Sequence, residues 1–111
     1  MAVMLSKLFV PVQLGGSSAA VLYTNSTGGV IKNLRVRLTN TSGSAVAVTL
    51  YADVAATASS AANCCLSAES IAANDHLDLD IPTLANGDTL RGFAGTGSVI
   101  TMHELGGAIV S

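Results

Sequence analysis

Asp75, His76, Asp78 and Asp80, in the stretch NDHLDLDIP, have the types and spacing that chemistry would use. An imidazole and three carboxylates in one short run could ligate a cation or exchange protons. A cation needs several oxygens around it at once. Acid–base work needs a carboxyl in a concave apolar pocket that shifts its pKa. Leu77, Leu79 and Ile81 alternate with His76, Asp78 and Asp80, so the stretch reads as a strand with one apolar and one wet face. Same-face neighbours on a strand stand roughly 6.5–7 Å apart. Two carboxylates at that spacing cannot share a small ion without donors from another strand, and no second His/Asp cluster is present. The expectation is a solvated strand face, whose charges also keep a sheet edge from pairing with other chains.

The other candidates are weaker. His103 and Glu104 are adjacent, so on a strand they point to opposite faces. No GxSxG nucleophile motif occurs. GGSS, TGG and GTGS read as turns, because none opens a helix that would favour a phosphate. Cys64 and Cys65 are adjacent, and a bridge between them needs a strained geometry. They also lack the spacing of a redox or zinc pair, so two free thiols are expected. NST at Asn25 and NTS at Asn40 match glycosylation sequons but sit in turn-rich text. Arg35 and Arg37 share a strand face and are two of only five basic residues. They either anchor a carboxylate-bearing partner or pair with acids on a neighbouring strand, for instance Asp53. No catalytic residue, metal or cofactor is expected.

The elements that position these residues are short. Apolar-patterned runs alternate with Gly, Ser, Asn and Asp clusters, which is the text of many strands. LFVPVQL contains Leu8, Phe9, Val10, Pro11 and Val12. It reads as an edge strand or an N-terminal arm over residues 1–14, since Pro11 has no N–H to give a sheet. Residues 15–111 then form the folded domain, opening with AAVLYT. In VIKNLRVRLTN, Val30, Leu34, Val36 and Leu38 fall on one face, opposite Asn33, Arg35, Arg37 and Thr39. AVAVTLYADV places Val46, Val48, Leu50 and Ala52 opposite Ala47, Thr49, Tyr51 and Asp53, and is expected to pair with the preceding strand as a hairpin. Residues 55–63 read as a loop with at most one helical turn, because no apolar stripe is there for a helix to bury. CCLSAESIAA, DHLDLDIP, GDTLRGFAG and SVITMHELGGAIVS complete about eight strands. Strands at this spacing pack as two antiparallel sheets, an all-β sandwich.

A chain of 111 residues is one domain. Five Lys or Arg against seven Asp or Glu give a net charge of −2. That leaves no basic footprint for nucleic acid or a membrane surface. No apolar run reaches the length of a membrane span, and Met1–Leu5 lacks the basic start of a signal peptide. Phe9, Tyr23, Tyr51 and Phe93 are the only aromatics, so the core must be Leu, Val, Ile and Ala. A surface so poor in charge is covered by small residues or by another protein.

The stretches AAVLYTNSTGGVIKNLRVRLTNTSGSAVAVTLYADV and SIAANDHLDLDIPTLANGDTLRGFAGTGSVITMHELGG together resemble small β-sandwich structural proteins of tailed bacteriophages and prophages. The likeness spans Ala19 to Gly107 and consists of strand and turn residues. It implies a jelly-roll-like sandwich and a place in the virion. The implied role is a capsid cement or decoration protein that binds the assembled head. The alternative is a small fibre or tail-associated module for a host-surface carbohydrate or protein. The implied partners are further copies of the chain, as a homotrimer, and the major capsid protein shell. Assembly would follow synthesis in the bacterial cytoplasm. Leu8 to Val12, Arg35 and Arg37 are the expected protein contacts. With no Trp and two Tyr, the chain is poorly equipped to stack on a sugar.

Overall fold

The computed structural model describes residues 3–4, 7–16 and 18–111. Residues 1, 2, 5 and 6 of the expected arm and Ser17 of the GGSS turn lie outside the described residues. The described residues form nine strands: β1 (Val3–Met4), β2 (Val12–Gln13), β3 (Ala20–Thr24), β4 (Val30–Asn40), β5 (Val46–Asp53), β6 (Cys64–Ile71), β7 (His76–Asp80), β8 (Thr89–Ala94) and β9 (Ile100–Val110). One 3-10 turn, Ala61–Asn63, interrupts the long loop after β5. Among the described residues no helix is long and apolar enough to cross a membrane.

One sheet has the order β2-β9-β4-β7, with β1 added along β9, and the other has the order β3-β8-β5-β6. Every pairing is antiparallel. The pairs are nested: β5 with β6, β4 with β7, β3 with β8, and β2 with β9. The chain is thus one long ribbon, doubled at the β5–β6 connection and rolled so that successive pairs fall in alternate sheets. That is the strand order of a jelly roll.

This order corrects one expectation. β4 and β5 are not a hairpin: β4 pairs with β7 and β9, and β5 with β6 and β8. They face each other across the core. Two strands with one apolar face each satisfy the same alternation whether they lie side by side or face to face, and only their partners decide. Asn40 turns the chain from one sheet to the other. Its side chain is buried, and Nδ2 donates to the carbonyls of Ser44 (2.8 Å), Ile71 (3.0 Å) and Ala72 (3.2 Å). Its Oδ1 accepts the N–H of Ser42 at 2.9 Å and the Ser42 hydroxyl at 2.7 Å. Asn25 repeats the device between β3 and β4. Nδ2 donates to Gly29 (3.0 Å) and Leu84 (2.9 Å), while Oδ1 accepts from Thr27 N–H (3.1 Å) and Oγ1 (2.7 Å). Both sequon asparagines are fully enclosed, and their amide nitrogens are spent on internal carbonyls.

The core is aliphatic. Val36, Leu38, Val48, Leu50, Leu90, Ile100 and Met102 are all inaccessible to solvent. One register detail in β4 differs from the alternation. Asn33 adopts a left-handed conformation (φ 57°), and the β4–β9 register slips between Lys32 and Arg35. The bulge flips the strand's first turn, so that Ile31 rather than Val30 enters the core. Gly92, in the middle of β8, is required by packing: a Cβ there would come within 2.5 Å of Leu50 Cδ2 and 2.6 Å of the Thr49 carbonyl oxygen.

The end of the expected arm belongs to the sandwich. Leu14 is buried, its N–H donates to Ile100 O at 2.9 Å, and its carbonyl accepts Ser98 N–H at 3.0 Å. Pro11 immediately precedes the two-residue β2, where its missing N–H removes no ladder bond.

Val36→Ala and Val48→Ala are each expected to lower the unfolding free energy by about 1–3 kcal/mol, through lost burial and a residual cavity, and Thr39→Ala by much less. Asn40→Ala should match the valines despite removing a polar group, because each buried carbonyl left unpaired costs about 1–3 kcal/mol. Denaturant melts of the four variants check this. A mild Asn40→Ala effect would mean that the loop holds itself without the side chain.

Candidate functional site

β7 is the edge of its sheet, and its wet face meets the arginines of β4. Asp78 stands opposite Arg37, Asp80 opposite Arg35, and His76 opposite Thr39. Arg37 grips Asp78 with two prongs, Nε to Oδ1 at 2.7 Å and Nη2 to Oδ2 at 2.9 Å. Arg35 Nε lies 3.8 Å from Asp80 Oδ1, with both side chains mostly exposed. His76 Nδ1 is 3.8 Å from Asp75. The two sets of residues singled out from the sequence are therefore each other's partners. The alternative in which the arginines pair with acids on a neighbouring strand holds, but the acids are those of β7; Asp53, the example offered, lies on β5 in the other sheet because β4 and β5 are not a hairpin. Among the described residues no group of three His, Cys, Asp or Glu is placed to hold a metal ion.

The hydrogen bonds and charge of Arg37 hold the Asp78 carboxyl below its ordinary value. A depressed folded-state value adds stability that is present above the unfolded value and is lost as pH falls through the folded one. Asp78→Asn should therefore lower the melting temperature at neutral pH, and the gap should close well below the ordinary carboxylate value of about 3.9. A gap that persists in acid would mean that the substitution acts through packing. A chelator should leave both melting temperatures unchanged.

The arm residues fold back on their own domain. Leu8 N–H donates to Glu104 Oε2 at 2.8 Å. The Phe9 ring lies against Tyr23, with centroids 5.0 Å apart and planes tilted by 38°. Burial, and then the Glu104 carboxylate, push the Tyr23 hydroxyl up. Leu8 and Phe9 pack against the core, whereas Val10 and Pro11 face out. These contacts close the flank where the β2–β9 edge of one sheet approaches β3 of the other. Glu104 stands opposite Val36 and His103 opposite Arg37, so the two neighbours do point to opposite faces.

Asp53 departs from expectation. It lies on the outer side of β5, yet it is fully buried, because the loop over residues 54–63 folds across it. The Ser59 hydroxyl donates to Asp53 Oδ2 at 2.5 Å. Arg91 Nη1 sits 3.6 Å from the same oxygen and donates to Thr57 O at 3.2 Å. Ala55 N–H is held by Asp88 Oδ1 at 3.0 Å.

Beside this loop, the outer face of the β3-β8-β5-β6 sheet carries a concavity of about 470 Å³, lined by Thr49, Tyr51, Ser60, Ala61, Cys64, Ser67 and Phe93. It gathers two of the four aromatic residues. Alternation already turned Thr49 and Tyr51 outward, but their meeting with Phe93 and Cys64 required knowing that β5 lies between β8 and β6.

Cys64 and Cys65 are free and point apart, as expected. Cys64 lines the concavity, while Cys65 packs against the core and bonds Leu50 O at 3.6 Å. Burial pushes the Cys65 thiol up to about 11. Timed alkylation followed by intact mass should therefore show one thiol reacting well before the other at neutral pH, the fast one mapping to Cys64. Equal rates, or a mass two hydrogens lower before reduction, would contradict this assignment.

Comparison of the chain with protein-family models, with curated proteins and with solved structures gives no match. The class that the chain itself defines is a small jelly roll with an N-terminal segment laid along one flank.

Proposed function

We propose that the chain is a virion structural protein, a capsid cement or decoration protein that binds the assembled head of a tailed phage and stabilises it. The observation that carries this reading is the distribution of exposed apolar side chains. Among the described residues the exposed large hydrophobics are Val3, Met4, Val10, Val21, Val54 and Leu105, and all but Val54 lie on β1, the arm, β3 and β9. Apolar surface left exposed on a small domain marks a contact site. Symmetric association, as a trimer, would cover part of it, and the shell of the major capsid protein the rest.

Two further features support the reading. The charges on β4 and β7 satisfy each other, which leaves little formal charge to oppose close protein contact. The resemblance to phage β-sandwich proteins gives the same role. Attachment would reinforce a shell by mass action, since a ligand that binds only the intact state stabilises that state. Because Arg37 is occupied by Asp78, the proposed contact runs chiefly through the exposed apolar side chains.

The test is to mix the purified protein with particles that lack it, sediment them, and heat them. Co-sedimentation and a raised rupture temperature are expected. Deleting residues 1–7, which removes Val3 and Met4 but keeps the Leu8 anchor, should weaken attachment and leave the fold intact. A monomer that neither sediments with particles nor changes their rupture temperature would sink the cement reading and bring a fibre or tail-associated role forward.

A further inference from the structure

We propose that the concavity on the outer face of the β3-β8-β5-β6 sheet is a binding site for a neutral carbohydrate. This goes beyond the cement reading and does not depend on it, because the concavity's lining includes none of the exposed apolar side chains on which that reading rests.

The strand register builds the site. Thr49 stands opposite Phe93 on β8, and Tyr51 opposite Cys64 on β6. Tyr51 and Phe93 are therefore diagonal neighbours, about 7–8 Å apart along the sheet, which is near the width of one sugar ring. Both rings are half-buried, so they are held in place while still presenting a surface. Ser60 comes from the folded-back loop and Ser67 from the bulged strand β6.

The chemistry of the lining selects the ligand. No lining residue carries a formal charge at neutral pH. Arg91, on β8, stands directly opposite Tyr51, but its guanidinium is turned under the loop to Thr57 and Asp53. A phosphate or an acidic sugar would find no counter-charge. Among the described residues the hydroxyls of Tyr51, Ser60 and Ser67 make no hydrogen bond, and Thr49 Oγ1 accepts the Ala68 N–H at 3.1 Å. A hydroxyl both donates and accepts, which matches the hydroxyls of a sugar. An apolar side chain from a protein would leave these groups unpaired. The aromatic faces, negative at the centre, suit the C–H face of a pyranose. The volume lies within the roughly 300–1,000 Å³ of ligand sites. Counting aromatics in the sequence underrates the chain as a sugar binder, because the fold concentrates half of them in one place.

Cys64 provides the reporter. Glucose, galactose, mannose and N-acetylglucosamine are each titrated into the millimolar range while Cys64 is alkylated. At least one should slow the reaction, by roughly ten-fold at about ten times its dissociation constant, with Cys65 unaffected. Phe93→Ala should abolish the protection. If that variant is unfolded by circular dichroism, Ser67→Glu, at an exposed rim position, should abolish it instead. Glucuronate should protect less than glucose. Protection by none of the four sugars, or protection that survives in both variants, overturns the proposal. Protection by an aromatic-bearing peptide where sugars fail overturns it in favour of a protein contact.

Discussion

The fold depends on satisfying backbone polar groups where the chain crosses from one sheet to the other. A jelly roll must make that crossing repeatedly, and each crossing takes backbone past the rim of the core, where unpaired carbonyls are costly. In this protein Asn25 and Asn40 meet the requirement with the same bonds. The amide nitrogen spans carbonyls on two different segments, and the oxygen gathers the next turn. Asn40 ties the β4–β5 arch to the end of β6 through Ile71 and Ala72, and Asn25 ties the β3–β4 arch to Leu84 beyond β7. Each asparagine thus joins elements far apart in sequence. The registers of β4 and β5, and everything displayed on their outer faces, follow from where these two side chains anchor the ends.

From that frame the polar surface sorts into two kinds. On β4 and β7 the charges are complementary across one strand pair and neutralise one another locally. On β5 the outer-face acid is taken out of solvent by a loop that brings its own hydroxyl and orders an arginine. Both arrangements consume charge within the chain. What else faces outward includes the exposed apolar side chains of β1, the arm, β3 and β9, and a concavity lined by hydroxyls and two aromatic rings.

Much of the fold was legible in the sequence, and the failures share a cause. The strand runs, the inward sets Leu34–Val36–Leu38 and Val46–Val48–Leu50, the aliphatic core and the loop before Cys64 all follow from a period of two and from turn chemistry. The hairpin did not, because alternation reports which face is buried and is silent on the neighbour. The misplacement of Asp53 and the unseen partnership of Arg37 with Asp78 are consequences of that one missing fact. Val30 was misplaced for a local reason: a single left-handed asparagine, indistinguishable in the sequence from any other polar residue of a strand, shifts the phase. The concavity was illegible because its lining comes from three strands and a loop whose order the pattern does not encode.

The nesting of the strand pairs orders the molecule in time as well as in space. The β5–β6 pair closes only the loop over residues 54–63. Each pair outside it encloses a longer span, and the loop-closure cost rises with the length enclosed. The β2–β9 pair encloses nearly the whole chain, so β9 keeps a bare edge while the rest assembles. Long bare edges are where incompletely folded chains capture one another. Pro11 and the brevity of β2 then have a use before folding is complete. β1 and β2, whose pairs with β9 enclose the longest spans, are each two residues long, too short to add readily to the wrong sheet.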